Sequence, residues 1–283
     1  MDAETLSDRP IGVYDSGVGG LSVLRALRAL LPHEHFIYVA DQAKVPYGSR
    51  SLTELRQLAE GVTQFLLSHE AKLVVIACNT ASAGALKTQR MAHPGLPFVG
   101  MEPAVKPAAE QTASHKVGVL ATPSTFQGEL YASVVERFAA DAEIFKATCP
   151  GLVGQIEKGY LATPKTHRIL AEALLPMLAQ GVDTLVMGCT HFPFVIPEIE
   201  KISGGRVRVI DPAPAVARQT GRVLAQNGLL TSHQAQGWVD FYTTGNPARF
   251  SLMIEKLIGL KTGAQALHWQ GPGLSEGSGA EIQ

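Results

Sequence analysis

The chain has 283 residues, of which 46% are hydrophobic and 17% are charged, and its formal net charge is −1. This composition is that of a globular protein and excludes a disordered or fibrous one. The near-neutral balance gives no electrostatic reason to expect nucleic acid or an anionic membrane as a partner. The length suits two compact domains of modest size.

The cysteine count and the apolar runs indicate the cellular compartment of the protein. Three cysteines are an odd and low number, which does not predict a disulfide framework. The N-terminal stretch MDAETLSDRP carries acidic residues and lacks the apolar segment of a secretory signal. No uninterrupted apolar run approaches the roughly 20 residues needed to cross a bilayer. We therefore expect a reduced, cytoplasmic protein.

Short apolar runs alternate with longer stretches of helical spacing. This alternation is typical of βαβ units with a parallel sheet, and runs rich in Val, Ile and Leu fit strands that helices cover on both faces. The predicted strands, in chain order, are Ile11–Tyr14, Phe36–Val39, Leu73–Ala77, Val117–Leu120, Thr184–Met187 and Val207–Ile210. The predicted helices between them are Leu21–Leu31, Leu52–Leu67, Phe126–Phe138 and His167–Ala179.

Breaks in the pattern predict the domain boundaries. Pro103 and Pro107 interrupt it near residues 100–107, so we expect a second α/β domain over residues 101–211. The chain from Pro212 has helical and strand character again, at Ala215–Leu224, Trp238–Thr243 and Phe250–Leu257. We expect this part to pack back onto the first half, giving a first α/β domain of residues 1–100 and 212–265. The segment Gly271–Gln283 is rich in Gly and Ser and predicts a flexible tail.

One design occurs twice in the chain. The apolar run that begins at Lys72 ends in Cys78 followed by Asn79 and Thr80, and the run from Asp183 ends in Cys189 followed by Thr190 and His191, 111 residues later. Each cysteine stands where a strand gives way to a helix, and ligands of open α/β sheets bind at the carboxyl ends of strands. The echo predicts two related, doubly wound α/β halves that face each other across an active-site cleft.

Either cysteine alone is more often a small buried hydrophobic residue than a catalytic one. The matched settings of Cys78 and Cys189 favour chemistry for the pair. Zinc is the competing interpretation, but the chain has neither a C-x-x-C pair nor an H-E-x-x-H motif, so we expect no metal. A disulfide between the two would need an oxidising compartment. Cys149, in Cys149-Pro150-Gly151, lacks the strand-end setting and is interpreted as structural.

The segment that follows the first predicted strand contains Asp15, Ser16 and three glycines before a helix. Glycines let a backbone approach a ligand closely and leave N–H groups open to an anion at the helix start. The segment fits neither the P-loop pattern nor G-x-G-x-x-G, so a nucleotide is the weaker interpretation. A small carboxylate fits better, with Asp15 free for acid–base work or for orienting an amine.

Three further features are ambiguous when taken alone. Tyr47 lies in the turn Val45-Pro-Tyr-Gly-Ser49, and most such turns are structural. Hydroxyls at Thr122 and Thr125 stand at a predicted helix start, where they can cap the helix, bind a carboxylate, or do both. His191 lies two residues from Cys189; a lone His is usually structural, but one so close to a thiol can tune its ionisation.

Taken together, these motifs resemble the glutamate racemase family of the aspartate/glutamate racemase superfamily. They occur in that family's order and spacing over roughly residues 10–260. Either cysteine motif alone would also suit the broader superfamily. The motifs are Asp15-Ser16-Gly17 with Val18-Gly19-Gly20, Pro46-Tyr47-Gly48-Ser49, Ala77-Cys78-Asn79-Thr80-Ala81, Ala121-Thr122 with Thr125, and Gly188-Cys189-Thr190-His191-Phe192-Pro193.

The resemblance implies an isomerase of two α/β domains that interconverts L- and D-glutamate with neither cofactor nor metal. It also implies a homodimer that supplies D-glutamate for peptidoglycan in cell wall biogenesis, and hence for cell shape. Cys78 and Cys189 match the two catalytic thiols, Asp15 the acidic partner of the first, and His191 the partner of the second. Glu157 matches a family glutamate near the second thiol, although the preceding Gly151-Leu-Val-Gly154 departs from the usual pattern. The implied substrate contacts are Asp15, Ser16, Tyr47, Gly48, Asn79, Thr80, Thr122, Thr125, Thr190 and His191.

Two positions differ from the family's habit. Gln42 stands where a small hydroxyl residue is common, and Lys44 stands where Arg is common. We interpret both as neighbours of the site, without a change of function. Two alternatives to a glutamate racemase stay open: a racemase of aspartate or a related amino acid, and a binding protein that inhibits a DNA topoisomerase.

Overall fold

Two parallel sheets organise the computed structural model, which describes residues 6–102, 104–127, 132–133, 136 and 142–277. The first sheet has seven strands: β1 (Ile11–Asp15), β2 (Phe36–Ala40), β3 (Leu73–Ile76), β4 (Phe98–Gly100), β9 (Val239–Thr243), β10 (Gln265–Gln270) and β11 (Gly273–Glu276). Their order is β11-β10-β9-β2-β1-β3-β4, and every pair is parallel except β10 with β11.

The second sheet is formed by the middle of the chain. Its strands are β5 (Lys116–Ala121), β6 (Glu143–Ala147), β7 (Thr184–Gly188) and β8 (Arg208–Ile210). Their order is β6-β5-β7-β8, and all are parallel. The two parallel sheets confirm the predicted α/β class, while the domain limits near residues 100 and 211 stay a prediction.

Helices connect the strands and cover the sheets. Over the described residues they are α1 (Leu21–Leu30), α2 (Leu52–Ser68), α3 (Asn79–Ala92), α4 (Val105–Gln111), α5 (Pro123–Gln127), α6 (Leu152–Glu157), α7 (Pro164–Ala179), α8 (Ile196–Ser203), α9 (Ala213–Gln226) and α10 (Pro247–Ile258). None of the described helices is long and apolar enough to cross a membrane.

Local chemistry explains where the helices begin. Ser51 and Glu54 form a capping box, in which each side chain accepts the other's backbone N–H, so α2 starts at Leu52 as predicted. Helix α7 starts at Pro164, three residues before the predicted start, because Thr163 caps it and proline suits a first turn. The predicted helix at Phe126–Phe138 lies mostly outside the described residues.

The central strands of both sheets are buried on both faces, as their apolar runs indicate. All five residues of β1, of β2 and of β7 are buried. One apolar core extends from Val13 and Leu24 in the first half to Leu185 and Phe192 in the second. The C-terminal part returns to the first sheet, since β9 pairs with β2 from Phe36 to Ala40.

The predicted flexible tail at Gly271–Gln283 is wrong for its first part. After Gly271, whose φ of 58° suits glycine, the chain turns and β11 pairs antiparallel with β10. Trp269 packs here against Gly61, where an added Cβ would lie 2.5 Å from the indole, and its Nε1 donates to Asp41 Oδ1 at 2.8 Å. The first sheet therefore extends to Glu276, beyond the predicted limit at 265. Residues 278–283 lie outside the described part.

Asp183 joins β7 to the loop before β5. It accepts hydrogen bonds from the backbone N–H groups of Ala113 and Ser114 and from the hydroxyls of Thr112 and Thr184. Partial burial alone would raise the pKa of Asp183, but these hydrogen bonds lower it to about 2. Because the folded-state pKa is depressed, the stability from this group is present above the ordinary value and is lost as the pH falls toward 2.

Asp183→Asn is therefore expected to lower the free energy of unfolding at pH 7 by about 1–2 kcal/mol, because a charged acceptor of several hydrogen bonds is lost. Urea denaturation at a series of pH values measures this. The difference in the free energy of unfolding between the variant and the wild type should decrease as the pH falls from about 4 to about 2. Asp240→Asn, at an exposed position of β9, is the control and should change stability by less than about 0.5 kcal/mol. A difference that does not vary with pH would contradict the role of the charge.

Candidate active site

The carboxyl edges of the two sheets bring both strand-end thiols to one place. Cys78 follows β3, which is adjacent to β1, and Cys189 follows β7, which is adjacent to β5. Both side chains are about 95% buried, with exposed fractions of 5% and 6%. They line one cavity of about 20 Å³, which has room for a water molecule. Its lining comprises Ser16, Pro46, Tyr47, Gly48, Cys78, Asn79, Thr80, Thr122, Val153, Cys189, Thr190 and His191.

The first thiol has a buried carboxyl group beside it. Asp15 ends β1, on the strand next to Cys78, and is fully buried. Burial, followed by the nearby Asp15 charge, raises the pKa of Cys78 well above the ordinary thiol value. Burial also raises the pKa of Asp15, against the opposing charge of His191 and the N–H of Gly20, which donates to Asp15 Oδ2 at 2.8 Å. Burial therefore disfavours the charged form of each group.

The second thiol is connected to an imidazole and a carboxylate. Cys189 Sγ lies 3.8 Å from His191 Nδ1, and His191 Nε2 lies 2.6 Å from Glu157 Oε1. Burial alone would lower the pKa of His191, but hydrogen bonding to Cys189 and Glu157 raises it well above its ordinary value. Burial would raise the pKa of Glu157, but hydrogen bonds from His191, Val18 and Gln42 lower it. These partners favour the protonated form of His191, which can give a proton to a Cys189 thiolate and, once neutral, take it back from the thiol.

The glycines after β1 let the second half of the chain approach closely. A Cβ on Gly17 would lie 1.9 Å from Glu157 Oε1, and a Cβ on Gly19 would lie 2.3 Å from His191 Nδ1. The N–H of Val18 donates to Glu157 Oε1 at 2.8 Å. Two N–H groups of this loop, those of Val18 and Gly20, therefore serve carboxylates of the protein, Glu157 and Asp15. The binding of a ligand carboxylate by this loop stays a prediction.

Polar atoms without partners face the small cavity. Among the described residues, neither amide atom of Asn79 has a hydrogen-bond partner, and Asn79 is 4% exposed. Thr80 and Thr122 approach from opposite halves, with their hydroxyl oxygens 3.1 Å apart. Buried polar groups are normally satisfied, so these atoms are suited to a polar ligand.

The predicted site residues divide into those on the cavity wall and those behind it. Asp15 and Glu157 lie behind Cys78 and His191. Thr125 lies behind Thr122, with their hydroxyls 3.0 Å apart. Tyr47 lines the cavity, but its hydroxyl donates to Asp41 Oδ2 at 2.8 Å. The remaining predicted contacts lie on the wall: Ser16, Gly48, Asn79, Thr80, Thr122, Thr190 and His191.

Sequence reasoning missed two features of the site. Val153 of α6 lines the cavity. An apolar residue on a cavity wall cannot be distinguished in the sequence from one in the core. Gln42 was treated as a neighbour, yet its Nε2 donates to Glu157 Oε2 at 2.9 Å. Its departure from the family's usual small hydroxyl residue was the available signal.

A larger cavity of about 710 Å³ adjoins the small one. The two share wall residues, namely Pro46, Gly48, Thr122 and Val153. Cys149 lines the larger cavity, outside the wall that Cys78 and Cys189 share, and burial raises its pKa to about 12. All three cysteines are free thiols. Within the described ranges, no cluster of three or more His, Cys, Asp or Glu side chains has the arrangement to hold a metal ion.

Comparison with known proteins defines the class first. Residues 20–220 match the model of the Asp/Glu/Hydantoin racemase family, and the chain belongs to this family, among its glutamate racemases. The glutamate racemase of Roseiflexus sp. is 48% identical over 252 residues, which cover 89% of this chain and 93% of that protein. The glutamate racemase of Pseudomonas aeruginosa strain PAO1 is 48% identical over 249 residues, covering 88% and 94% of the two chains.

Solved structures agree with the sequence comparison. A glutamate racemase isoform from Bacillus anthracis superposes with a TM-score of 0.83 at 30% identity and covers 94% of this chain and 98% of its own. The glutamate racemase of Francisella tularensis in complex with D-glutamate gives a TM-score of 0.79, also at 30% identity, with coverage of 94% and 98%. The expected resemblance, with its two-domain α/β fold, is confirmed.

Proposed function

We propose that this chain interconverts L- and D-glutamate, with Cys78 and Cys189 as opposed acid–base groups and without a cofactor. The observation that carries the proposal is the single small cavity whose wall contains both thiols and the unpartnered amide of Asn79. Membership of the glutamate racemases supports the substrate. The structures of relatives include one solved with D-glutamate and one solved with L-glutamate.

Each half-reaction moves one proton. The thiolate on one side takes the α-proton of the substrate, and its electron pair passes into the α-carbon and carboxylate. The thiol on the other side then gives its proton to the opposite face of the same carbon. The α-carbon gains one proton and loses one, so the product is the other enantiomer and the two thiols exchange protonation states.

The neighbours of the thiols supply the charge control that this step needs. We assign Asp15 as the group that receives the Cys78 proton when substrate binds, and His191 with Glu157 as the pair that exchanges a proton with Cys189. The Asn79 amide and the hydroxyls of Thr80 and Thr122 are placed to stabilise charge on the substrate carboxylate. From the family resemblance, we assign Cys78 to D-glutamate and Cys189 to L-glutamate.

The size of the cavity implies a conformational step. A space of about 20 Å³ holds a water molecule and not an amino acid, so the halves must separate for substrate to enter. The adjoining cavity of about 710 Å³ is the proposed entrance. Closure then excludes water from the reacting atoms. We further propose a cytoplasmic homodimer whose D-glutamate is used for peptidoglycan.

The test is circular dichroism of purified protein with no added cofactor, starting from each enantiomer of glutamate and, separately, of aspartate. We expect both enantiomers of glutamate to lose their signal at rates at least about 100-fold above those for aspartate, because a misfitting substrate leaves buried polar groups unpaired. If aspartate were turned over faster than glutamate, aspartate and not glutamate would be the substrate. No turnover of either acid would overturn the proposed function.

A further inference from the structure

Gln42 bridges the two halves of the chain beside the second thiol. It begins the short helical turn after β2. Its Nε2 donates to Glu157 Oε2 at 2.9 Å, and its Oε1 accepts from the hydroxyl of Thr243 at 2.9 Å. Gln42 and Thr243 lie at the carboxyl ends of strands in the first sheet, whereas Glu157 ends α6 in the second half. The contact therefore exists only while the two halves are together.

The direction of the amide is determined by its partners. The Thr243 hydroxyl accepts the N–H of Gly245 at 3.0 Å and has one proton, which it donates to the Gln42 oxygen. Because an ionised carboxylate only accepts hydrogen bonds, the amide nitrogen of Gln42 faces Glu157 and its oxygen faces Thr243. Gly245 allows this approach, because a Cβ there would lie 2.8 Å from Gln42 Cβ. Thr243 is fully buried, so the anchor of the amide is rigid.

Glu157 depends on this amide for one of its two oxygens. Oε1 receives the N–H of Val18 and the ring of His191, while Oε2 receives Gln42. The Glu157 side chain is 11% exposed, so loss of the Gln42 donor would leave an oxygen of a largely buried carboxylate poorly satisfied. The carboxylate could then rotate away from His191 or take up a proton.

From these contacts we propose that Gln42 is a positioning residue for proton transfer at Cys189: it holds Glu157 ionised and aimed at His191 when the two halves close. The inference rests on the proposed function, because it assigns a role within that reaction. The proposed role concerns only one of the two thiols. Gln42 is connected to Cys189 through Glu157 and His191, whereas the neighbour of Cys78 is Asp15.

Several charged or titratable groups surround Glu157. His191 contacts it directly, and Asp15, Tyr38 and Cys189 lie near enough to interact with it or with His191. Lys158 and Arg249 share the wall of the larger cavity with Glu157. A change in the titration of His191 on substitution of Gln42 must therefore be compared with that in a control variant that leaves all these groups in place.

The test uses Gln42→Met, which keeps the length of the side chain and removes both hydrogen bonds. Thr243→Val removes the anchor of the amide together with the acceptor of the Gly245 N–H, and leaves the Gln42 side chain itself unchanged. Gln64→Met is the matched control, because exposed Gln64 also donates to a glutamate, Glu60, at 2.8 Å, but on α2. The measurements are the pH profile of kcat, the effect of α-deuteration on kcat/KM for each enantiomer, and the NMR titration of the His191 ring.

We expect Gln42→Met to lower kcat about tenfold, the effect of losing a hydrogen bond to a charged group, and Thr243→Val to lower it less. The pKa of His191 should fall in both variants, because a less firmly ionised Glu157 supports its cationic form less. The two enantiomers have equal free energy, so kcat/KM falls equally in both directions. The α-deuterium effect should increase for the enantiomer that Cys189 deprotonates and not for the other.

An unchanged His191 titration in Gln42→Met would overturn the inference, and so would an equal change in Gln64→Met. Equal isotope effects for both enantiomers would overturn the assignment to the Cys189 side. The titration does not need turnover. A wild-type protein inactive on glutamate, with a His191 titration that responds to Gln42, would therefore refute the proposed function and keep the coupling of Gln42 to His191.

Discussion

Replacing either strand-end thiol by a hydroxyl is expected to lower racemisation of glutamate by at least about 10³-fold, because each half-reaction needs its own proton carrier. Cys78→Ser and Cys189→Ser keep the size of the side chain, so the buried site should stay folded. In D₂O the thiol that remains can still take and return a proton on its own face. Each variant should therefore place deuterium in one enantiomer with retained configuration, and the two variants should label opposite enantiomers.

Cys149→Ser is the matched control. Cys149 is also a buried free cysteine, 7% exposed, but it lines the larger cavity and lies outside the wall shared by Cys78 and Cys189. Its substitution should change kcat by less than about threefold, as expected when no reacting group is touched. Mass spectrometry with chiral separation measures the exchange. Deuterium appearing in both enantiomers at the wild-type rate in Cys78→Ser would refute a two-thiol mechanism.

Lys72→Met is expected to lower the free energy of unfolding by about 3–5 kcal/mol, the usual cost of removing one partner of a buried ion pair. Lys72 Nζ lies 2.5 Å from Glu34 Oε2, and the two side chains are 0% and 2% exposed. The ammonium also donates to the carbonyl of Ser7, and Glu34 Oε1 accepts the N–H of Thr231. Removing Lys72 leaves a buried carboxylate without a countercharge. Urea denaturation at pH 7 measures the loss.

A double variant separates the lost charge from the lost packing. In Lys72→Met with Glu34→Gln, the amide oxygen can still accept the N–H of Thr231 and no unpaired charge remains. The double variant should therefore be more stable than Lys72→Met alone. Lys261→Met is the control, because Lys261 is 85% exposed and pairs with Glu255 at 3.5 Å, so its loss should cost less than about 0.5 kcal/mol. A double variant no more stable than the single one would show that packing, and not the charge, determines the loss.

The apolar strands could be read from the sequence because burial on both faces leaves near-continuous Val, Ile and Leu. Strand β1 is the clearest case, and its prediction differs by one residue. Short or partly exposed strands lack that signal: β4 has three residues, and β6 has no fully buried position. Strand β11 was hidden by its Gly and Ser content, since its pairing with β10 depends on a turn and not on apolar side chains.

The candidate site was predictable where function needs a particular side chain. Cys78, Cys189 and His191 follow strands, and the topology of a parallel sheet brings strand ends to one edge. The sequence does not show which atoms stay unpaired, as those of Asn79 do, nor that the glycine loop donates a hydrogen bond to Glu157. These facts depend on contacts between residues more than 100 positions apart, such as Val18 with Glu157.

The indole of Trp269 has a consequence for the far end of the chain. It donates to Asp41, which also accepts the hydroxyls of Tyr47 and Thr244. Asp41 directly precedes Gln42, so the last hairpin buttresses the turn that carries the amide beside Glu157. Proteolytic nicking between β9 and β10 is expected to leave both thiols in place and yet loosen this turn, so the proposed role of Gln42 would depend on a hairpin that contains no reacting group.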